Sequence, residues 1–311
     1  MFDKSTNCRL AGLLLALAIG LCQSSWAKAT DLYVNNIGGD DLHNGLAAES
    51  NTLEHGPVRS IQRALLIAHK GDRIIVANTG EPYRESVTIQ GGRNSGLFRQ
   101  PFVIIGNGAV LDGSMPIDRD VWKPVAVDLY RFTPELKSTL IYIDGRPAKR
   151  VAVDDSGKRP ELAPLEWCLF DGDIFFRGED NRLPEDYSLS QTGRPVGITI
   201  YEARNLVVEN LVVQGYRLDG VNAHDGAMNV ELTGLTCRGN GRSGISIGGA
   251  SRLIVTACLV GNNGRAQLRT EGRCRARLVN CDLIDDDPQA PGLVNTGGEV
   301  KIENNEPPPQ P

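Results

Sequence analysis

The sequence predicts an all-β chain wound into a parallel solenoid, and three observations lead there. The first is a repeat: from residue 197 onward, Ile198, Val221, Ile245, Leu268 and Leu293 align at spacings of 23, 24, 23 and 25 residues. The second is that further apolar columns keep the same register. Leu206, Val230, Leu253, Ala276 and Val300 form one, and Val208, Leu232, Val255, Leu278 and Ile302 another. Leu211, Leu235, Cys258 and Cys281 make a third column, and Val213, Cys237, Val260 and Leu283 a fourth. The third observation is that each repeat is a set of short alternating stretches punctuated by Gly, Asn and Arg, with no run long enough for a helix. Alternation sends successive side chains to opposite faces of a strand. Copies stacked in register therefore build parallel sheets around an apolar column, which is a β-helix. No single repeat can bury its own apolar face, so the stacking itself provides the core.

Taken in order, residues 1–29 read as a secretory signal. Lys4 and Arg9 precede an apolar run at 10–22, and AKA at 27–29 offers small residues for cleavage. Thirteen residues are too few to span a bilayer comfortably, so an exported, periplasmic or extracellular, protein without a membrane span is expected. Residues 30–114 form an N-terminal cap and the first strands. There Ile61, Ala64, Leu65 and Ala68 fall at helical spacing, Ser60 can cap the start and Gly71 can end it. Such a helix would cover the open end of the stack, which otherwise exposes unpaired strand edge. Residues 115–196 interrupt the repeat as a β-rich insertion, with Asp171-Gly172 a two-residue hairpin signal between aromatic strands. The coils occupy 197–304, and 305–311, ending in EPPPQP, reads as a disordered tail.

The formal charge is −5, and loss of the signal makes it more negative, which disfavours nucleic acid as a partner. Of seven cysteines, Cys8 and Cys22 leave with the signal, and the odd remainder of five does not read as a disulfide framework. Cys258 and Cys281 share an inward column on neighbouring coils. They could bridge or remain stacked thiols, and a core column favours the reduced form.

The coils, with the entry segments DLYVNNIGGDD, GPVRSIQRALLIAHKGDRIIV and GEPYRESVTI, resemble right-handed parallel β-helix proteins of the pectate-lyase-like class. The resemblance covers most of the chain outside residues 115–196 and implies the right-handed sense of the coil. A shorter likeness concerns the stretch NAHD at 222–225, which is similar to the Asp-Pro-His-Asp motif of alginate C5-epimerases. His224 and Asp225 match that motif, whereas Asn222 and Ala223 depart from its Asp and Pro.

Since the columns at 198 and 200 point inward, those at 199 and 201 point outward. One outward column reads Thr199, Asn222, Ser246, Arg269 and Val294, and the next Tyr201, His224, Gly248, Glu271 and Thr296. Gly248 is expected to leave a gap in the second. The preceding turns carry Arg217, Arg242 and Arg265, which with Arg269 make a positive strip suited to a carboxylate- or sulfate-bearing polymer. On a polyuronate, lyase and epimerase reactions both begin by removing the C5 proton, which needs donors on the neighbouring carboxylate and a base near the carbon. Arg269 and Asn222 are candidates for the first task and His224 for the second. Asp225 would orient the imidazole, Tyr201 would donate a proton, and Glu271, Arg217, Arg242 and Arg265 would line the substrate path. Two alternatives stand beside this one: an exported β-helix that binds glycan or a surface partner without chemistry, and a glycoside hydrolase using two of Asp219, Asp225 and Glu271. No cofactor is expected. The aspartates of DLIDDDP at 282–288 could hold calcium but read more simply as a solvated loop, and the histidines lack zinc spacing. The oligomeric state and the identity of the polymer are not legible.

Overall fold

The structure is a computed structural model that describes residues 29–135, 139–154 and 156–304. The signal expected at the N-terminus therefore lies almost wholly outside the described residues, and the tail at 305–311 lies outside them altogether.

Two parallel sheets carry the repeat. One has six strands in spatial order Leu293–Asn295, Ala266–Thr270, Ser243–Ile247, Asp219–His224, Ile198–Tyr201 and Val87–Gln90. The register pairs Ile198 with Val221, Val221 with Ile245, Ile245 with Leu268 and Leu268 with Leu293, which is the first repeat column. The other sheet has eleven strands and includes Phe102–Asp112, Arg204–Gln214, Met228–Thr233, Arg252–Thr256, Arg275–Val279 and Glu299–Glu303. Its register sets Leu206, Val230, Leu253, Ala276 and Val300 side by side. A second run of the same sheet, through Thr236–Arg238, Leu259–Gly261 and Asp282–Leu283, turns each coil back toward the first sheet.

The bend between the two runs falls at Asn210, Gly234, Ala257 and Asn280, one per coil, each with φ between 51° and 62°. That left-handed conformation suits Asn and Gly and is uncommon for Ala, so three of the four bends use the residue types that adopt it most readily. Inside the stack, the apolar columns from Leu206 to Leu278 are buried. Fully burying a Val, Leu or Ile side chain is worth about 1.5–3 kcal/mol, so each coil is held mainly by the coils above and below it.

A second ladder inside the coils is polar. Asn240 Nδ2 donates to Asn263 Oδ1 at 3.0 Å, Asn263 Nδ2 to Gln267 Oε1 at 2.9 Å, and Gln267 Nε2 to the Ala290 carbonyl at 2.8 Å. All three side chains are buried. Buried amides without partners would be costly, so this chain of donors and acceptors fixes the turns that precede the six-stranded sheet.

The helix expected at the N-terminal end spans Ile61–Ile67, with Ser60 accepting from the Arg63 N–H and Ile61, Ala64 and Leu65 buried against the first strands. It ends at Ala68, three residues before Gly71, because Ala68 takes an extended conformation. The β-rich insertion forms a five-stranded sheet and a four-stranded sheet with apolar clusters of their own, around Trp167, Phe132 and Phe176 and around Cys168 and Leu162. Asp171 and Gly172, both at positive φ, make the hairpin between Glu166–Phe170 and Asp173–Arg177. Among the described residues, no helix is long and apolar enough to cross a membrane.

Candidate functional site

The outward face of the six-stranded sheet is set by register. Thr199 pairs with Asn222 and Tyr201 with His224, then Asn222 with Ser246 and Ser246 with Arg269. His224 is the last residue of its strand, and Asp225 follows at φ 55°, a turn that swings the carboxylate back beside the ring. The result is a contact of 2.9 Å between His224 Nδ1 and Asp225 Oδ2. The Tyr201 ring lies alongside, its centroid 5.3 Å from that of the imidazole at an interplanar angle of 59°. His224 keeps 34% of its side chain exposed and Asp225 keeps 60%, so both are open to a ligand.

The gap expected at Gly248 is filled. A Cβ at that position would lie 3.2 Å from Glu271 Oε1, so the Glu271 carboxylate folds across the glycine. It thereby reaches the coil next to His224, about 4.8 Å away by strand spacing, rather than staying two coils off. Arg269 Nη2 pairs with Glu271 Oε2 at 2.9 Å, while its Nε is buried and finds no hydrogen-bond partner in the protein. The expected free guanidinium is thus half committed. Ser246, expected to face solvent between Asn222 and Arg269, is buried.

Of the arginines in the preceding turns, Arg242 is tied to Asp219, with Nε 2.9 Å from Oδ1, and Ser243 Oγ adds 2.6 Å to the same oxygen. Asp219 is fully buried. This pair is part of the frame, because the carboxylate has no route to a glycosidic bond. The Asp219 option for hydrolysis therefore fails, and so does Arg242 as a free contact for substrate. Its guanidinium is held above its ordinary pKa, first by the hydrogen bond it donates to Asp219. Arg217 is half-buried with an unpartnered Nε, and Arg265 is exposed. Their turns stack one on another, with the Arg242 N–H donating to the Leu218 carbonyl and the Arg265 N–H to the Arg242 carbonyl.

The insertion leans on these turns rather than on the Tyr201 and His224 face. Gln214 Nε2 donates to the Gly145 carbonyl at 3.0 Å, the Tyr142 hydroxyl donates to the Gly239 carbonyl, and Arg150 Nε reaches Asp287 Oδ2 at 2.9 Å. Between insertion and turns runs a groove of about 620 Å³, lined by Lys149, Glu166, Asn262, Asp286 and Asp287 among others. The residues that line this groove are not singled out by the sequence. The insertion has no repeat against which its side-chain directions could be fixed. The Arg269 and Glu271 pair was within reach, since residues two apart on a strand share a face.

Among the described residues, no group of three or more His, Cys, Asp or Glu could hold a metal ion. In the aspartate run at 282–288, Asp287 is ion-paired with Arg150.

Comparison with known proteins bears on the fold. Residues 190–306 match the family model described as "Right handed beta helix region". No curated protein is significantly similar in sequence. A solved structure described as "Glycoside hydrolase" aligns over 81% of this chain and 73% of its own length, at 12% identity and a TM-score of 0.56. "Crystal structure of pectate lyase Pel9A" aligns over 88% of this chain and 62% of that one, at 12% identity and a TM-score of 0.43. "The complex structure of XylC with xylose" covers 89% and 70%, at 12% identity and 0.41. The in-register coils and the matched segment together show the fold of a right-handed parallel β-helix.

Proposed function

We propose that this protein is exported and acts on an acidic, uronate-containing polysaccharide by removing the proton at C5, as a lyase or a C5-epimerase. The observation that carries the reading is the 2.9 Å contact between His224 Nδ1 and Asp225 Oδ2 beside Tyr201. A carboxylate accepting from Nδ1–H fixes the tautomer whose Nε2 holds a lone pair, which is the state a base needs. The same carboxylate stabilises the imidazolium that forms.

In the step itself the C5–H bond breaks, the proton goes to His224 Nε2, and the electron pair passes into the adjoining carboxylate. Developing charge there is met by the Asn222 amide and by the partly exposed Arg269 guanidinium, which Glu271 holds at its other side. A lyase then breaks the C4–O bond, with Tyr201 giving its phenolic proton to the leaving oxygen. In an epimerase, Tyr201 instead gives its phenolic proton to C5 from the opposite ring face. Arg217 and Arg265 would pair with neighbouring uronates along the turns. The fold-level likeness to a structure described as a glycoside hydrolase is compatible with a carbohydrate ligand.

One observation favours a second reading, glycan binding without chemistry. The groove beside the insertion is lined by the turns, so the Tyr201 and His224 face is left open rather than enclosed. The test is incubation of the protein with a panel of uronate polymers in deuterated buffer. Ultraviolet absorbance would read unsaturated ends, and NMR would read deuterium at C5. Unsaturated ends that vanish in His224→Ala support the lyase, and deuterium without cleavage supports the epimerase. Binding with neither signal leaves the second reading.

A further inference from the structure

Cys258 and Cys281 sit at one inward position of two successive coils near the C-terminal end of the stack. The strands that follow them pair in register, Leu259 with Asp282 and Val260 with Leu283, and the Asp282 N–H donates to the Cys258 carbonyl at 2.9 Å. Neighbouring parallel strands lie about 4.8 Å apart, inside the range of Cα separations that a disulfide spans. The two side chains are close enough to perturb each other's ionisation. Cys258 Sγ is otherwise held by the Leu235 N–H at 3.3 Å, and Cys281 Sγ faces the Val255 carbonyl at 3.2 Å. All five cysteines among the described residues are free thiols. Cys258 is buried, Cys281 is only half-buried, and Cys168, Cys237 and Cys274 are buried.

We propose that Cys281 and Cys258 form a thiol–disulfide exchange site, in which a small disulfide is reduced and a bridge is closed between the two coils. The more exposed sulfur, Cys281, attacks one sulfur of the incoming disulfide. That S–S bond breaks, one thiolate leaves, and a mixed disulfide remains on Cys281. Cys258 then gives up its proton and attacks the Cys281 sulfur, releasing the second thiolate. Two protein thiols are oxidised and one external disulfide is reduced to two thiols, so the electrons balance.

The division of labour between the two sulfurs follows from their surroundings. The interaction with the Cys258 side chain holds the Cys281 thiol below its ordinary pKa, while the same interaction and then burial push Cys258 up. A thiolate at the accessible position is the form that attacks. The bridge would staple the coil of Arg252–Thr256 to that of Arg275–Val279, close to the end of the stack. This inference does not depend on the reaction proposed for His224.

The test treats the native full chain with oxidised glutathione, blocks remaining thiols with iodoacetamide, and maps the peptides by mass spectrometry. The expected result is a Cys258–Cys281 cross-linked peptide lacking two hydrogens, with Cys168, Cys237 and Cys274 alkylated only after denaturation. A bridge of this loop length should raise the melting temperature by about 5 °C or more. Cys258→Ala should stop at the Cys281 mixed disulfide, and Cys281→Ser should take up no glutathione at Cys258. The proposal is overturned if both thiols stay free after the treatment, or if the parent chain stops at the mixed disulfide. It is also overturned if Cys281 bridges to a different cysteine.

Discussion

Asp219→Ala separates a structural carboxylate from a catalytic one. Asp219 is fully buried and accepts from Arg242 through both oxygens and from Ser243 Oγ at 2.6 Å. Removing one partner of a buried ion pair costs roughly 3–5 kcal/mol, because the other charge is left without compensation. The Arg242 side chain is 30% exposed and can turn partly to water, which puts the loss near the lower limit, about 3 kcal/mol. For a domain of this size each kcal/mol moves the melting point by about 2–4 °C, so the variant should melt roughly 6–12 °C below the parent. Asp219→Asn keeps an acceptor for Ser243 and Arg242 but loses the charge, and should fall between the two. The assay is thermal unfolding followed by circular dichroism, run beside the deuterium-exchange measurement. An Asp219→Ala protein that melts with the parent yet loses its reaction would refute the structural assignment and restore Asp219 as a candidate acid.

Three further outcomes are expected. Asn263→Ala breaks the buried amide ladder, leaving the Asn240 N–H without its acceptor at 2.9 Å and the Cys237 carbonyl without its donor at 3.1 Å. With about 1–3 kcal/mol for each unsatisfied group, its urea midpoint should drop clearly below that of the surface variant Arg265→Ala. Glu303 titrates at about 2 because Arg277 and then Lys301 hydrogen-bond its carboxylate. Its folded pKa is depressed, so its contribution is fully present above the ordinary value of 4.5 and is lost as pH falls through about 2. The melting difference between the parent and Glu303→Gln should therefore shrink over that interval. Asp225→Asn should slow C5 exchange by about 10²-fold or more, the range for a positioned base, and leave the melting temperature unchanged because Asp225 is mostly exposed.

The parts of the fold that could be read from the sequence are those that repeat. Ile198, Val221, Ile245 and Leu268 share a column because each coil must bury the same side of the same strand. One residue of slip would turn every one of them outward. The capping helix was legible for a similar reason, since Ile61, Ala64 and Leu65 mark a buried stripe behind a serine cap. The site was legible only in direction. Register placed Tyr201 beside His224, but it said nothing of the Asp225 turn or of Glu271 lying over Gly248, because both depend on rotamers and on a left-handed residue at a strand end. The Asp219 and Arg242 pair was misleading for the same reason. A carboxylate before Gly220 reads as turn chemistry or as a catalytic acid until its burial is known. The groove at Glu166 and Asp287 comes from contacts between a segment without periodicity and distant turns, which no local pattern encodes.

The most direct test of the central claim is the state of the His224 ring. In ¹⁵N-histidine-labelled protein only His43, His55, His69 and His224 report, and His224→Ala assigns the last of them. With Asp225 accepting from Nδ1–H, the Nε2 signal of His224 should move when a uronate oligomer is added while the other three histidines stay in place. A His224 ring protonated at Nε2, or one that does not respond to any uronate oligomer, would contradict that claim.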